Sequence, residues 1–358
     1  MATTVFTSVE THGENQNTKT LPINLPLDFS SIQSLPESHA WPESNNDDQI
    51  ENNNDGSSSL ALPIIDLNDP NAMEQIGHAC EEWGAFQLKN HGIPKSVIEE
   101  LEMQTKRLFD LPKEQKMKAL RTPDYPTGYG TFWMTPLFQQ HMWQEGFTIF
   151  GSSEDDAKKI WPHDYQSFCD ATKKFQDESK VLVEKLIHLS FKYLGISEEE
   201  EENWIGPKNH AGAIQLNSYP ICPKPENAMG ITPHTDTSTF TLLHQSQISG
   251  LQIFEDGSGW LTVPLVPNTV VINTGDVLHI LSNARFKSAL HRVTVNSIKH
   301  RYSMVYFYKP IMDHVISPLV SNNAHDDPRF RALTYKEYAD IKGKNFNKAL
   351  SFISVKQD

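Results

Sequence analysis

The sequence predicts an α+β protein whose centre is a double-stranded β-helix, or jelly roll, with a helix-rich region before it and a C-terminal helix after it. From Ala211 onward eight short β-rich runs alternate with turn signals: AIQLNSY, STFTLLH, GLQIF, WLTVPL, TVVINT, VLHILS, ALHRVTV and RYSMVYFY. Short strands at such spacing suit a sandwich or barrel. Before Ala211, apolar residues recur every three or four positions, the period of helices buried along one stripe. This divides the chain into an N-terminal extension (1–60) with a disordered loop at 43–59, a helix-rich region (61–210), a jelly-roll core (211–318) and a C-terminal helical segment (319–358).

Within the extension, ESNNDDQIENNNDGSSS at 43–59 carries one aliphatic residue, too little apolar surface to offset ordering. LDFSSIQSLPESHAW at 27–41 has enough to dock on the body. Asp69 and Pro70 can start a helix whose inner face holds Ile76, Ala79, Cys80 and Trp83, with Gly84 ending it and AFQLKN following as a strand. Ile98, Leu101, Thr105 and Leu108 predict a second helix from about Pro94 to Asp110. Phe168, Thr172, Phe175, Leu182, Leu186, Leu189 and Tyr193 predict the longest, from Tyr165 to Leu194, stopped by Gly195.

Composition limits the function. No apolar stretch approaches the roughly 18 residues of a membrane span, and the N-terminus has neither a secretory pattern nor the arginines of a transit peptide, since the first arginine is Arg107. A cytosolic, monomeric protein is expected. Three scattered cysteines, Cys80, Cys169 and Cys222, form no CxxC pair. The net charge of -14 disfavours nucleic acid; nine acidic residues of the first 60 face only Lys19, so the remainder is nearly balanced.

Two His-x-Asp pairs occur, His234/Asp236 and His325/Asp327. In ALHRVTV, strand alternation puts His291 on the same inward face as Ala289, Val293 and Val295, so His291 can join the first pair; no histidine follows the second, which reads as a solvated loop before a helix starting near Pro328. Two imidazoles and one carboxylate leave coordination positions open, which suits Fe(II), whereas a structural zinc site would normally add a fourth protein ligand. Arg301 and Ser303 share a strand face with Val305 and Phe307, and Asn217 shares one with Tyr219. An inward arginine needs an anion, and no acidic residue stands in its strand. A dicarboxylate that chelates iron at one end and reaches Arg301 at the other, with Tyr219 and Ser303 adding hydrogen bonds, meets both demands: 2-oxoglutarate. The plainer alternative pairs Arg301 with a protein carboxylate and leaves His291 in the core. His244 and His279, read as lying on neighbouring strands, suit core or ligand-bracing roles.

These residues resemble the plant Fe(II)- and 2-oxoglutarate-dependent dioxygenases: HTD at 234–236, His291, RYS at 301–303, NSYPICPKP at 217–225 and WGAFQLKNHGIP at 83–94. DFSSIQSLPESHAW, MWQEGFTI, HILSNARFKSALHRV and FNKALSFI are similar to the gibberellin 3-oxidase subgroup. The resemblance implies His234, Asp236 and His291 as iron ligands and Asn217, Tyr219, Arg301 and Ser303 at the cosubstrate. It implies oxidation of an unactivated C–H of a diterpenoid with dioxygen, most simply gibberellin 3β-hydroxylation, with ascorbate in support. Three places depart from the subgroup: TFWMTPLFQQ at 131–140 lacks an expected Arg-Ile pair, VYFYKP at 305–310 replaces a Leu-Trp-Gly-Pro type run, and Ala284 replaces a glycine. A diverged paralogue hydroxylating or desaturating another diterpenoid or specialised metabolite therefore stays open. Phe132, Trp133, Met134, Leu137 and Phe307 are candidates for the substrate wall. A non-enzymatic binding protein would be expected to lose a ligand or the arginine, and a zinc hydrolase would ignore 2-oxoglutarate.

Overall fold

The computed structural model describes residues 26–41, 61–122, 125–131, 138–205, 210–246, 248–319 and 327–355. The helix-rich region runs β1 (Ile64–Asp66), α1 (Ala72–Glu82), β2 (Ala85–Lys89), α2 (Lys95–Phe109), α3 (Lys113–Lys116), β3 (Gly128–Gly130), β4 (Glu145–Phe150), α4 (Glu154–Ile160), α5 (Gln166–Leu194) and α6 (Glu198–Ile205). Then come β5 (His210–Tyr219), β6 (Ile231–His234), β7 (Phe240–Gln245), β8 (Leu251–Glu255), β9 (Gly259–Thr262), β10 (Thr269–Thr274), α7 (Asp276–Leu281), β11 (His291–Val293) and β12 (Arg301–Pro310). The chain closes with β13 (Val315–Ile316), β14 (Leu333–Thr334) and α8 (Tyr335–Asn345).

Eight strands, β5 to β12, build the jelly roll as two facing layers. One layer has the order β10-β7-β12-β5 and the other β6-β11-β8-β9. The first is widened by β1-β2 at one edge and β4-β3 at the other, so the helix-rich region contributes directly to the sheet. Strand alternation then sorts the core into two parts. Between the layers lie Ala85, Leu243, Val271 and Val305 from the large sheet and Leu251 and Ile253 from the small one. The alternate residues, Phe86, Leu242, Ile272, Met304 and Tyr306, face outward into a second core under the helices. There α5 packs on α1 and α2. Its Leu182, Val183, Leu186 and Ile187 are buried, each such side chain stabilising by roughly 1.5–3 kcal/mol relative to exposure.

The three helices expected before Ala211 form within one or two residues of their predicted ends, except that α1 starts later. Asp69 accepts the Asn71 N–H at 2.8 Å in a turn ahead of the helix rather than capping it. The 27–41 stretch docks as expected: Leu27, Phe29, Ile32 and Leu35 pack against Trp143 and its neighbours, and the Trp41 indole donates to the His141 carbonyl at 3.0 Å. The 43–59 loop lies outside the described residues.

Two expectations fail. VLHILS is not a strand but α7, in which Val277, Leu278, Ile280 and Leu281 are all buried. A segment buried on every side shows neither period, and residues 231–234 supply the eighth strand instead. The helix expected near Pro328 starts only at Tyr335, where Thr334 accepts the Glu337 N–H at 3.2 Å. That Thr-x-x-Glu was the better start signal. No helix among the described residues is long and apolar enough to cross a membrane.

Candidate active site

His234 ends β6, Asp236 follows two residues on, and His291 opens β11 directly opposite His234 in the antiparallel register. Pairing rather than proximity in sequence thus closes the triad. All three side chains are buried, and one potential ligand atom from each lies within 4.8 Å of the others. The Nε2 atoms of His234 and His291 stand 3.8 Å from Oδ1 and Oδ2 of Asp236, respectively.

The surroundings set each donor. Nδ1 of His234 donates to the Thr232 carbonyl at 2.8 Å and Nδ1 of His291 to the Ala289 carbonyl at 3.0 Å, which leaves each Nε2 as the ring nitrogen available to a metal. Thr241 donates to Asp236 Oδ2 at 2.7 Å and fixes the carboxylate. Burial, reinforced by the adjacent His291, lowers the His234 pKa to about 3. A neutral imidazole is the form that binds a metal.

Along β12, Arg301 pairs in register with Tyr219, and Ser303 with Asn217. Asn217 donates to Ser303 Oγ at 3.3 Å, and the Arg301 guanidinium lies 4.8 Å over the Tyr219 ring. Arg301 is 1% exposed. Its Nε donates to the Ile248 carbonyl at 3.2 Å and its Nη2 to Gln245 at 3.1 Å, while its Nη1 has no acceptor among the described residues. The alternative in which a protein carboxylate pairs with Arg301 therefore finds no support. A buried cation with one unmet donor suits an anionic ligand that is bound and released.

Phe307 is half-buried on the same inner face, beside Leu243 and Val305. Phe132, Trp133, Met134, Leu137 and His325 lie outside the described residues, and Asp327 is exposed. His244 faces outward from β7, 3.8 Å from Glu102 beneath α2, and His279 sits in α7 with Nδ1 donating to the Phe286 carbonyl at 2.6 Å. Both are structural histidines remote from the triad's hydrogen bonds, and His279 is on a helix rather than a strand. A cavity of about 700 Å³, lined by Leu27, Phe29, Phe109, Pro112, Ile221 and His300, contains no triad residue and is not the reaction chamber.

Sequence reasoning missed Thr241 and Gln245. Alternation on β7 puts both inward with Leu243, but the partner of Gln245 lies on β12 and that of Thr241 in the segment after β6, so only the fold reveals them.

Fold and site together define an oxidoreductase that uses one iron ion and a dicarboxylate cosubstrate. Residues 211–310 match the 2OG-Fe(II) oxygenase superfamily, and residues 62–167 match the N-terminal region described as non-haem dioxygenase in morphine synthesis. The chain belongs to the 2OG-Fe(II) oxygenase superfamily. It is 44% identical to gibberellin 3-beta-dioxygenase 1 of Pisum sativum over 92% of this chain and 89% of that protein. With gibberellin 3-beta-dioxygenase 1 of Arabidopsis thaliana it shares 41% identity over 93% and 95%. The crystal structure of JOX2 in complex with 2OG, Fe, and JA aligns with a TM-score of 0.78 at 27% identity, covering 91% of this chain and 95% of that one. A rice dioxygenase for auxin oxidation, at 22% identity, a TM-score of 0.67 and coverage of 82% and 100%, shares the fold.

Proposed function

We propose that the protein is a gibberellin 3β-hydroxylase in which His234, Asp236 and His291 hold Fe(II), and Arg301, Ser303, Tyr219 and Asn217 hold 2-oxoglutarate. The observation that carries the cosubstrate assignment is the unmet Nη1 donor of buried Arg301. The substrate assignment is supported by relatives named gibberellin 3-beta-dioxygenase at 36–44% identity over more than 90% of the chain.

Held by His234, Asp236 and His291, iron would supply dioxygen activation coupled to oxidative decarboxylation of 2-oxoglutarate to succinate and carbon dioxide, with one oxygen atom entering a C–H bond of the substrate. The protein's own residues do the positioning. Thr241 holds Asp236 in place, the Thr232 and Ala289 carbonyls orient the imidazoles, and Arg301 fixes the far carboxylate while Gln245 and the Ile248 carbonyl fix Arg301. Leu243, Ile253, Val305 and Phe307 form an apolar lining between the two layers that disfavours water there. The enzyme works as a cytosolic monomer with ascorbate in support, and its acidity argues against a nucleic-acid partner.

A second reading, a paralogue oxidising another diterpenoid, is favoured by Phe307, which brings the divergent VYFYKP run to the inner wall. Incubating the Fe(II) enzyme and 2-oxoglutarate with gibberellins and other diterpenoids, with products identified by mass spectrometry, separates the two. The first reading requires a 3β-hydroxylated gibberellin; a hydroxylated non-gibberellin alone establishes the second.

A further inference from the structure

Arg121 follows α3 and reaches the inner face of the large sheet at its β3–β4 edge. Its Nη1 donates to Thr148 Oγ1 at 2.6 Å and its Nη2 to the Thr131 carbonyl. Both acceptors are neutral. A guanidinium has five N–H donors, and no other acceptor for Arg121 occurs among the described residues. Burial lowers its pKa to about 10, with no carboxylate paired to it among the described residues. Asp156, beside Gly128 at the same edge, is committed to Lys159 at 2.9 Å and to the Thr127 hydroxyl at 2.7 Å. Glu145 points to the opposite face, into its buried pair with Lys116 at 2.7 Å.

The position is built into the active-site wall. Thr148 Oγ1 donates to Gln215 at 2.6 Å, Gln215 Nε2 to Asn217 Oδ1 at 3.1 Å, and Asn217 to Ser303 at 3.3 Å. One polar chain therefore joins Arg121 to the cosubstrate wall. Glycines make the space: a Cβ on Gly130 would stand 3.1 Å from Arg121 Nη2, and one on Gly146 only 2.4 Å from Gln215 Nε2. Thr148 pairs with Gln215, Gln215 with Val305 and Val305 with Leu243, so the polar chain around Arg121 gives way across the sheet to an apolar floor at Val305 and Leu243. At 4.7–4.9 Å per strand, Thr148 and Leu243 are about 14 Å apart.

We infer that Arg121 is a specificity-determining residue that binds a carboxylate of the organic substrate. The inference rests on the oxygenase reading above and adds to it the residue that recognises the acid group of an apolar polycyclic substrate. Such an acid lying on Val305 and Phe307 presents a C–H to the metal side and its carboxylate to Arg121. A planar guanidinium with donors to spare matches a carboxylate in two-pronged fashion.

The test is calorimetric binding, under nitrogen so that nothing turns over, of a gibberellin acid and its methyl ester to enzyme loaded with Fe(II) and 2-oxoglutarate. A second diterpene acid and its ester are run in parallel. Wild type binds acid over ester by roughly ten- to a hundredfold. Arg121→Gln abolishes the preference, Arg121→Lys keeps part of it, and 2-oxoglutarate affinity is the same in all three. A preference that survives in folded Arg121→Gln overturns the assignment, as does failure of both acids to bind. A parallel loss of 2-oxoglutarate affinity also overturns it, by reducing Arg121 to a brace of the polar chain. Gibberellin turnover by wild type is scored separately, so the gibberellin reading can fail while the acid preference stands on the second pair.

Discussion

Lys342 of α8 and Asp276 of α7 form an ion pair at 2.8 Å with both side chains no more than 2% exposed, and the same Nζ donates at 2.5 Å to Thr235, the residue between His234 and Asp236. Tyr338 and Ser288 satisfy the remaining Asp276 oxygen sites at 2.6 and 2.7 Å. The Asp276 N–H also donates to the Asp236 carbonyl at 2.7 Å. The C-terminal helix therefore braces from behind the 234–236 segment proposed to hold the metal.

Lys342→Met leaves Asp276 buried without its cation, a change that typically costs about 3–5 kcal/mol. We expect a lower melting temperature together with weaker Fe(II) binding, although Lys342 is not a ligand. Iron titration alongside a thermal melt checks this, and unchanged iron affinity would separate α8 from the site.

Asp236→Ala removes the only anionic member of the triad and is expected to abolish turnover in a folded protein. Asp327→Ala, on an exposed residue of the rival pair, is expected to be nearly silent. Iron content and succinate release in the two variants decide the matter; the reverse pattern would mean that the other pair holds the metal.

Ala284 has φ 67, in the left-handed region, directly after Asn283 at φ 52. A side chain with a Cβ costs roughly 1–2 kcal/mol there, partly offset by the greater freedom glycine has when unfolded. Ala284→Gly should raise stability by about 1 kcal/mol with activity unchanged, read from denaturant midpoints. A loss of stability would show that the left-handed conformation is unstrained.

His210 stacks on Tyr308 with ring centroids 4.7 Å apart, and neither ring nitrogen has a partner among the described residues. Burial first, then His314, lowers its pKa from 6.5 to about 3. Above pH 6.5 the ring is neutral in folded and unfolded chains alike; as pH falls from 6.5 towards 3 only the unfolded chain takes up the proton, so stability is lost. His210→Phe should therefore gain more stability relative to wild type at pH 5 than at pH 7 in urea unfolding. An equal difference at the two pH values would mean that His210 does not carry this dependence.

How far the site was legible depended on the range of each contact. His291 could be read because alternation within one strand aims it inward, and Arg301 because its own strand offers no carboxylate. Lys342, Thr241 and Arg121 could not, because the partners of each lie on other segments that only the folded chain brings together. The α7 segment failed for a different reason: burial on all sides erases the period that distinguishes helix from strand.

If Arg301 binds the far carboxylate of 2-oxoglutarate, its loss shows when 2-oxoglutarate is titrated against succinate release in wild type, Arg301→Ala and Arg301→Lys. Losing a charge-assisted pair of roughly 1.5–3 kcal/mol should raise the half-saturating concentration about ten- to a hundredfold in Arg301→Ala. Recovery in Arg301→Lys should be partial, and the effect on the organic substrate much smaller. Unchanged 2-oxoglutarate dependence in folded Arg301→Ala would contradict the account.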